Sequence, residues 1–172
     1  MLTPKLQDAL NAQINAELWS AYLYLSMSQN FNAEGMPGVA NWFMVQFQEE
    51  QAHAQILMNY VNQRGGRVEL KAIDAVPTSW ESAIAAFKDT LEHEKKVTSL
   101  INALYSLAEA EKDYATRDRL NWFVSEQVEE EDSCRQMIDK LTLIGDNGMG
   151  LYTIDQELAT RTYTAPSPLS AE

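Results

Sequence analysis

The chain has 172 residues, with 13 Lys and Arg against 25 Asp and Glu, a net charge of −12, one cysteine and 7 glycines. The acidic balance excludes the basic footprint that nucleic acid requires. The single Cys134 excludes an internal disulfide framework or a cysteine zinc site. No apolar run is long enough to span a membrane, and the start, MLTPKLQDAL, has neither a basic lead nor an apolar signal segment, so the sequence reads as cytoplasmic. The length suits one domain with a substantial core, and the wealth of helix formers predicts an almost wholly helical protein. The negative charge suits attraction for small cations.

Thr3 followed by Pro4 is a helix cap and first-turn pair. Helical spacing then runs through Leu6, Leu10, Ile14, Ala21 and Leu25 to about Phe31. NAEGMPG breaks it, and a second helix runs from near Pro37 to Arg64, carrying Val39, Phe43, Phe47, Ala54, Leu57 and Val61 and ending at Gly65 and Gly66. GRVELKAIDAVPTS has no helical repeat. A third helix starts near Ser79 or Trp80 and carries Ala83, Phe87, Leu91, Val97, Ile101 and Leu104. After a break around EAEKDYAT, a fourth runs from about Thr116 to Ile144. LYTIDQELAT is a short amphipathic piece, and 161–172, polar with two prolines, reads as a disordered tail after a domain over 1–160.

Loop lengths constrain the topology. The short first and third connections make helices one and two antiparallel, and likewise three and four. The middle connection of 14 residues can stretch about 46 Å. The second helix, with 28 residues, is about 42 Å long. The crossing can therefore reach the far end of the bundle and start the third helix parallel to the second. An all-α four-helix bundle with one long crossover and a short fifth helix is the expected fold.

One acid interrupts the apolar stripe of each helix. Glu17 lies three after Ile14 and four before Ala21. Glu50 lies three after Phe47 and four before Ala54, Glu94 three after Leu91, and Glu130 seven after Phe123. Each sits near its helix midpoint, so the four meet at one level whichever way the helices point. A lone Glu on an apolar face usually lies at the edge of the stripe and reaches water, but four edge positions have no reason to share one height. Four buried carboxylates without a cation would repel one another and take up protons. Two divalent cations balance the four charges, with His53, three after Glu50, as a neutral ligand. An oxygen-rich set with one imidazole and no thiolate suits iron or manganese rather than structural zinc or copper. The spacing of Glu50 and His53 matches the Glu-x-x-His element of di-iron bundles.

With Glu17 and Tyr24, EEQAH at 49–53, Glu94 in HEKKV, SEQVEEE at 125–131 and GLYTIDQEL, the chain resembles the prokaryotic non-haem ferritins over nearly its whole length. That resemblance implies a ferritin-like bundle with a ferroxidase centre. Glu17, Glu50 and His53 would hold one iron, and Glu50, Glu94 and Glu130 a second, with Gln127 beside it. A third site would use Glu49, Glu126 and Glu129 with Glu130 shared. Tyr24 and Trp122 match aromatics that lie near the irons, although aromatic core packing explains most such residues. The resemblance further implies Fe²⁺ as substrate, O₂ or H₂O₂ as oxidant, and a homo-oligomeric hollow shell of twenty-four subunits storing ferric oxide-hydroxide. Two departures from bacterioferritins stand out. Gln127 and Glu130 replace the second Glu-x-x-His, so the second site holds its metal less permanently. Gln51 stands where a haem-ligating Met would follow Glu50, so no haem is expected.

Bland readings apply elsewhere. Glu49, Glu126 and Glu129 also fit a solvated helix face. His93 points about 100° away from Glu94 and reads as a surface or interface histidine, Cys134 as a small apolar residue, and Met27, Met44 and Met58 as core or subunit-contact residues. Three functions are consistent with the residues: iron oxidation with storage; a stand-alone di-iron or di-manganese oxidase of an organic molecule; and a metal-free interaction bundle. A DNA-protecting mini-ferritin is a variant of the first, but that type builds its iron site between subunits, whereas here one chain supplies the whole set.

Overall fold

The computed structural model describes residues 1–170, with no strand among them. Helix α1 spans Pro4–Ala33, α2 Pro37–Gln63, α3 Ala83–Ala110, α4 Tyr114–Ile144 and α5 Gly148–Leu158, and α6, Ser167–Ser170, is a single turn. Helix starts are set by side chains that accept a free backbone N–H: Thr3 from Leu6, Ser82 from Ala85, Asp113 from Thr116 and Asn147 from Gly150. These caps explain two departures from the expected boundaries. α3 begins at Ala83 because Ser82 is the cap, and Trp80 is a buried, non-helical residue whose indole donates to Asp89 at 3.2 Å. α4 begins two residues early because Asp113 caps it.

The crossing, residues 64–82, is pinned along α1. Its start is held where Arg67 N donates to Gln7 (2.9 Å), and where Asn11 donates to Arg67 O (3.0 Å) and accepts from Glu69 N (3.0 Å). Near its end Ser26 donates to Pro77 O at 2.6 Å. The segment thus travels from the start of α1 to its last turns. Since α2 returns antiparallel to α1, α3 begins beside the start of α2 and runs parallel to it, as the reach of the crossing allows.

The apolar side chains divide into two clusters. One, around Phe31, Val39, Phe43, Phe87, Met137 and Leu141, includes Ile154 and Leu158 of α5. The other, around Leu6, Leu10, Leu57, Val61, Ile101, Leu104 and Leu120, fills the opposite end. Met27 is wholly buried in the first, and Cys134 packs there as an apolar residue. Between the clusters lies the level of the four acids.

α5 docks on the start of α2. Asp155 accepts from Val39 N at 2.9 Å, and Gly38 lies so close that an added Cβ would meet Asp155 O at 1.6 Å. The tail beyond, expected to be disordered, takes a defined course over the described residues. Asn41 donates to the carbonyls of Leu158 (3.0 Å) and Arg161 (2.9 Å), Arg161 lies over Trp42, and Leu169 packs against the far cluster. Residues 171 and 172 lie outside the described residues. No described helix is long and apolar enough to cross a membrane.

Candidate metal centre

The four inward acids are buried together: Glu17 is 1%, Glu50 1%, Glu94 0% and Glu130 5% exposed, and His53 is 2% exposed. Each comes from a different long helix, and the apolar clusters above and below seal the layer from water. Ligand atoms of Glu17, Glu50 and His53 lie within 4.8 Å of one another, as do those of His53, Glu126 and Glu130. His53 therefore belongs to both groups. Its Nδ1 is 3.6 Å from Glu50 Oε2 and its Nε2 is 4.0 Å from Glu126 Oε1. Neither separation is a hydrogen bond.

Burial dominates the electrostatics. It raises the Glu17 carboxyl, although hydrogen bonds from Glu50 and Gln13 oppose it; Gln13 donates at 2.9 Å. Glu50 is held well above the usual carboxylate range by burial and by repulsion from Glu17, Glu94 and Glu130. Glu130 is raised in the same way, by burial and then by Glu94 and Glu49. Glu94 is pushed up to about 7 by burial, against hydrogen bonds from Tyr24 and Gln127. Tyr24 donates to Glu94 Oε1, and Gln127 to Oε2 at 3.1 Å. Burial takes His53 down to about 4, so its imidazole is neutral at pH 7 with a lone pair to give and forms no ion pair with Glu50. Among the described residues, the buried Glu50 Oε2 has no hydrogen-bond partner.

An unpartnered carboxylate oxygen, crowded acids and a neutral imidazole at one level fit divalent cations. The cations would cancel the repulsion, satisfy Glu50 Oε2 and displace the protons that burial now favours.

The predicted third-site residues are placed unevenly. Glu126 is raised to about 7, by burial and then by Glu129 and Glu49, and lies with His53 and Glu130. Glu129 is exposed. Glu49 is drawn to Arg161, 2.7 Å away. Trp122, expected near the irons, is half-buried, its ring 5.4 Å from His53 and edge-on. His93 is not free on the surface: it pairs with Ser20 Oγ at 2.7 Å and packs against Trp19. Gln51 is exposed.

Three glutamine and arginine side chains around the acids were not anticipated. Gln13 lies four before Glu17, and Gln46 four before Glu50, so buried amides at that spacing were a signal available in the sequence. Gln46, 0% exposed, donates to Glu130 at 2.8 Å. Arg161 had no such signal, because it reaches Gln46 across 115 positions.

A bundle of four long helices with one crossover, closed around buried carboxylates and a histidine that could hold metal, defines the class as a ferritin-like bundle. The model of the ferritin-like domain matches residues 7–144. A bacterial non-heme ferritin of Bacteroides fragilis is 46% identical over 161 residues, covering 94% of this chain and 100% of the relative. One from Staphylococcus aureus is 42% identical, covering 95% and 98%. The solved open pore ferritin of Archaeoglobus fulgidus superimposes with a TM-score of 0.93 at 47% identity, covering 94% of this chain and 100% of that one. The chain belongs to the ferritin family, beside the bacterial non-haem ferritins.

Proposed function

We propose that the protein stores iron, oxidising Fe²⁺ at a di-iron ferroxidase centre within each subunit and keeping the product as ferric oxide-hydroxide in a hollow homo-oligomeric shell of twenty-four copies. The observation that carries this reading is the layer of four buried carboxylates with His53, one oxygen of which lacks any partner. The names of its relatives support storage.

In this reading Glu17, Glu50 and His53 take one Fe²⁺, and Glu50, Glu94 and Glu130 the other, with Gln127 holding Glu94 in place. Binding displaces the protons of the raised carboxyls, so loading releases acid. The pair gives two electrons to O₂, which leaves with two protons as H₂O₂, or to H₂O₂, which leaves with two protons as two waters. Four carboxylates balance two Fe²⁺ but not two Fe³⁺. The surplus positive charge favours oxo or hydroxo bridging and departure of the product toward the cavity, where hydrolysis frees further protons. With Gln127 and Glu130 in place of a second Glu-x-x-His, the second site turns over and passes iron on. Tyr24, whose hydroxyl donates to Glu94, holds the other oxygen of that ligand. No haem takes part.

The test is aerobic addition of Fe²⁺ to the metal-free protein, followed by sizing. Amber, mineral-filled shells are expected. Oxidation by a small oligomer that retains no iron would replace storage with a stand-alone oxidase, and absence of binding would leave only an interaction bundle. Glu50→Ala, which removes the ligand shared by both irons, is expected to abolish rapid oxidation, a loss of about 100-fold or more, while the shell still assembles.

A further inference from the structure

We infer that Arg161 is a positioning residue for the α2–α4 side of the metal centre, orienting Glu130 through Gln46 and keeping Glu49 out of the third cation position. This rests on the reading of the acids as a metal centre.

The guanidinium makes three hydrogen bonds. Its Nη1 donates to Trp42 O at 3.2 Å, and its Nη2 donates to Gln46 Oε1 at 2.6 Å and to Glu49 Oε2 at 2.7 Å. Its Cζ lies over the Trp42 ring, 4.7 Å from the centroid, and Asn41 holds its carbonyl. The segment that carries it is therefore seated rather than resting by chance.

Two consequences follow from donor and acceptor chemistry. Arginine donates and never accepts. The side of the Gln46 amide facing Arg161 must be its oxygen, so its NH₂ must face Glu130, as the 2.8 Å bond records. Without Arg161 the oxygen end of the amide has no anchor, so its NH₂ is no longer held at a fixed position against the Glu130 carboxylate. The second consequence concerns Glu49. Its charge is spent on Arg161, leaving Glu126, 25% exposed and beside His53 and Glu130, without one of the four expected partners of a third cation. A cation leaving the pair on this side finds Glu49 free only when Arg161 lets go.

The two effects have opposite signs. Removing Arg161 weakens the second cation by loosening Glu130, and tightens the third because a released Glu49 adds a whole carboxylate there, outweighing the looser Glu130 that the two share. A merely structural role would weaken every site together.

The experiment titrates the full-length metal-free protein anaerobically with Co²⁺, read by visible absorption and calorimetry. The variants are Arg161→Gln, Arg161→Lys and Gln46→Leu, with shell size and helical signal as folding controls. In Arg161→Gln the second Co²⁺ is expected to weaken by about tenfold, the scale of a lost orienting partner, while the third tightens severalfold. Arg161→Lys, which keeps a charge for Glu49, should return the third affinity toward that of the parent. Gln46→Leu should weaken the second without tightening the third, because Glu130 serves both and Glu49 stays on Arg161. Affinities that do not move, or that all fall together, overturn the role of Arg161 while leaving the metal centre standing. A parent protein that binds fewer than two Co²⁺ overturns both.

Discussion

At Glu94 burial and hydrogen bonding pull in opposite directions, and burial wins, raising the carboxyl from 4.5 to about 7. The folded metal-free protein thus keeps a proton that the unfolded chain has released. Its stability falls as pH rises from 4.5 to about 7, by on the order of 3 kcal/mol for this group alone. His53 acts in the opposite sense. Its folded value of about 4 lies below the unfolded 6.5, so stability is lost as pH falls through that interval. Between pH 4.5 and 6.5 the two changes nearly cancel. Urea unfolding of the metal-free protein is therefore expected to show its decline above 6.5, where Glu50 and Glu130, also held well above the carboxylate range, add to it. Glu94→Gln, which carries no charge to bury, should gain stability relative to the parent from 4.5 to 6.5. These acids were legible because each breaks an apolar stripe at helical spacing. The orienting contacts were less so. Gln13 and Gln46 share that spacing, yet an amide at such a position does not reveal what it bonds to, and the partner of Glu49 is hidden because Arg161 arrives from a different part of the chain.

Among the elements, the four long helices were legible from caps and apolar period, and the crossing from its reach. The start of α3 was misplaced because Trp80 belongs to the apolar cluster without being helical, and burial in a sequence does not reveal backbone conformation. The seat of α5 could not be read either, since it depends on a close approach between Gly38 and Asp155, 117 positions apart. That approach supplies a prediction. Gly38→Ala places a methyl group where Asp155 O stands, at 1.6 Å, so α5 must leave its seat. The cost is expected to be about 2 kcal/mol or more, visible as a lowered unfolding midpoint. The four-helix bundle should still bind Co²⁺ at its centre, because neither residue touches the acids, and Arg161, carried just beyond α5, should lose its hold on Glu49.

Across the whole molecule, a net charge of −12 and a layer of four buried acids make cations a stabilising ligand. Redox-inert Zn²⁺ is expected to raise the unfolding temperature, by about 2.7 kcal/mol of stability for each occupied site at a hundredfold excess over its dissociation constant, and chelation should reverse the gain. Replacing Glu17, Glu50, Glu94 and Glu130 by leucine should stabilise the metal-free bundle and abolish its response to Zn²⁺. The overall architecture was legible because it follows from helix length, loop length and one repeated pattern. The course of residues 161–170 was not, because a polar, proline-containing segment looks the same in sequence whether or not it lies against a neighbour.

The apolar side chains gather at both ends of the bundle and leave the acids in between. Isolated helices loosen from their tips inward, but this bundle is welded near its tips and soft at its equator. Amide exchange in the metal-free state should therefore be quickest around the middle turns of α1 to α4, and cations should slow exchange there first. The same softness gives a pair of ions room to enter and depart without the subunit coming apart.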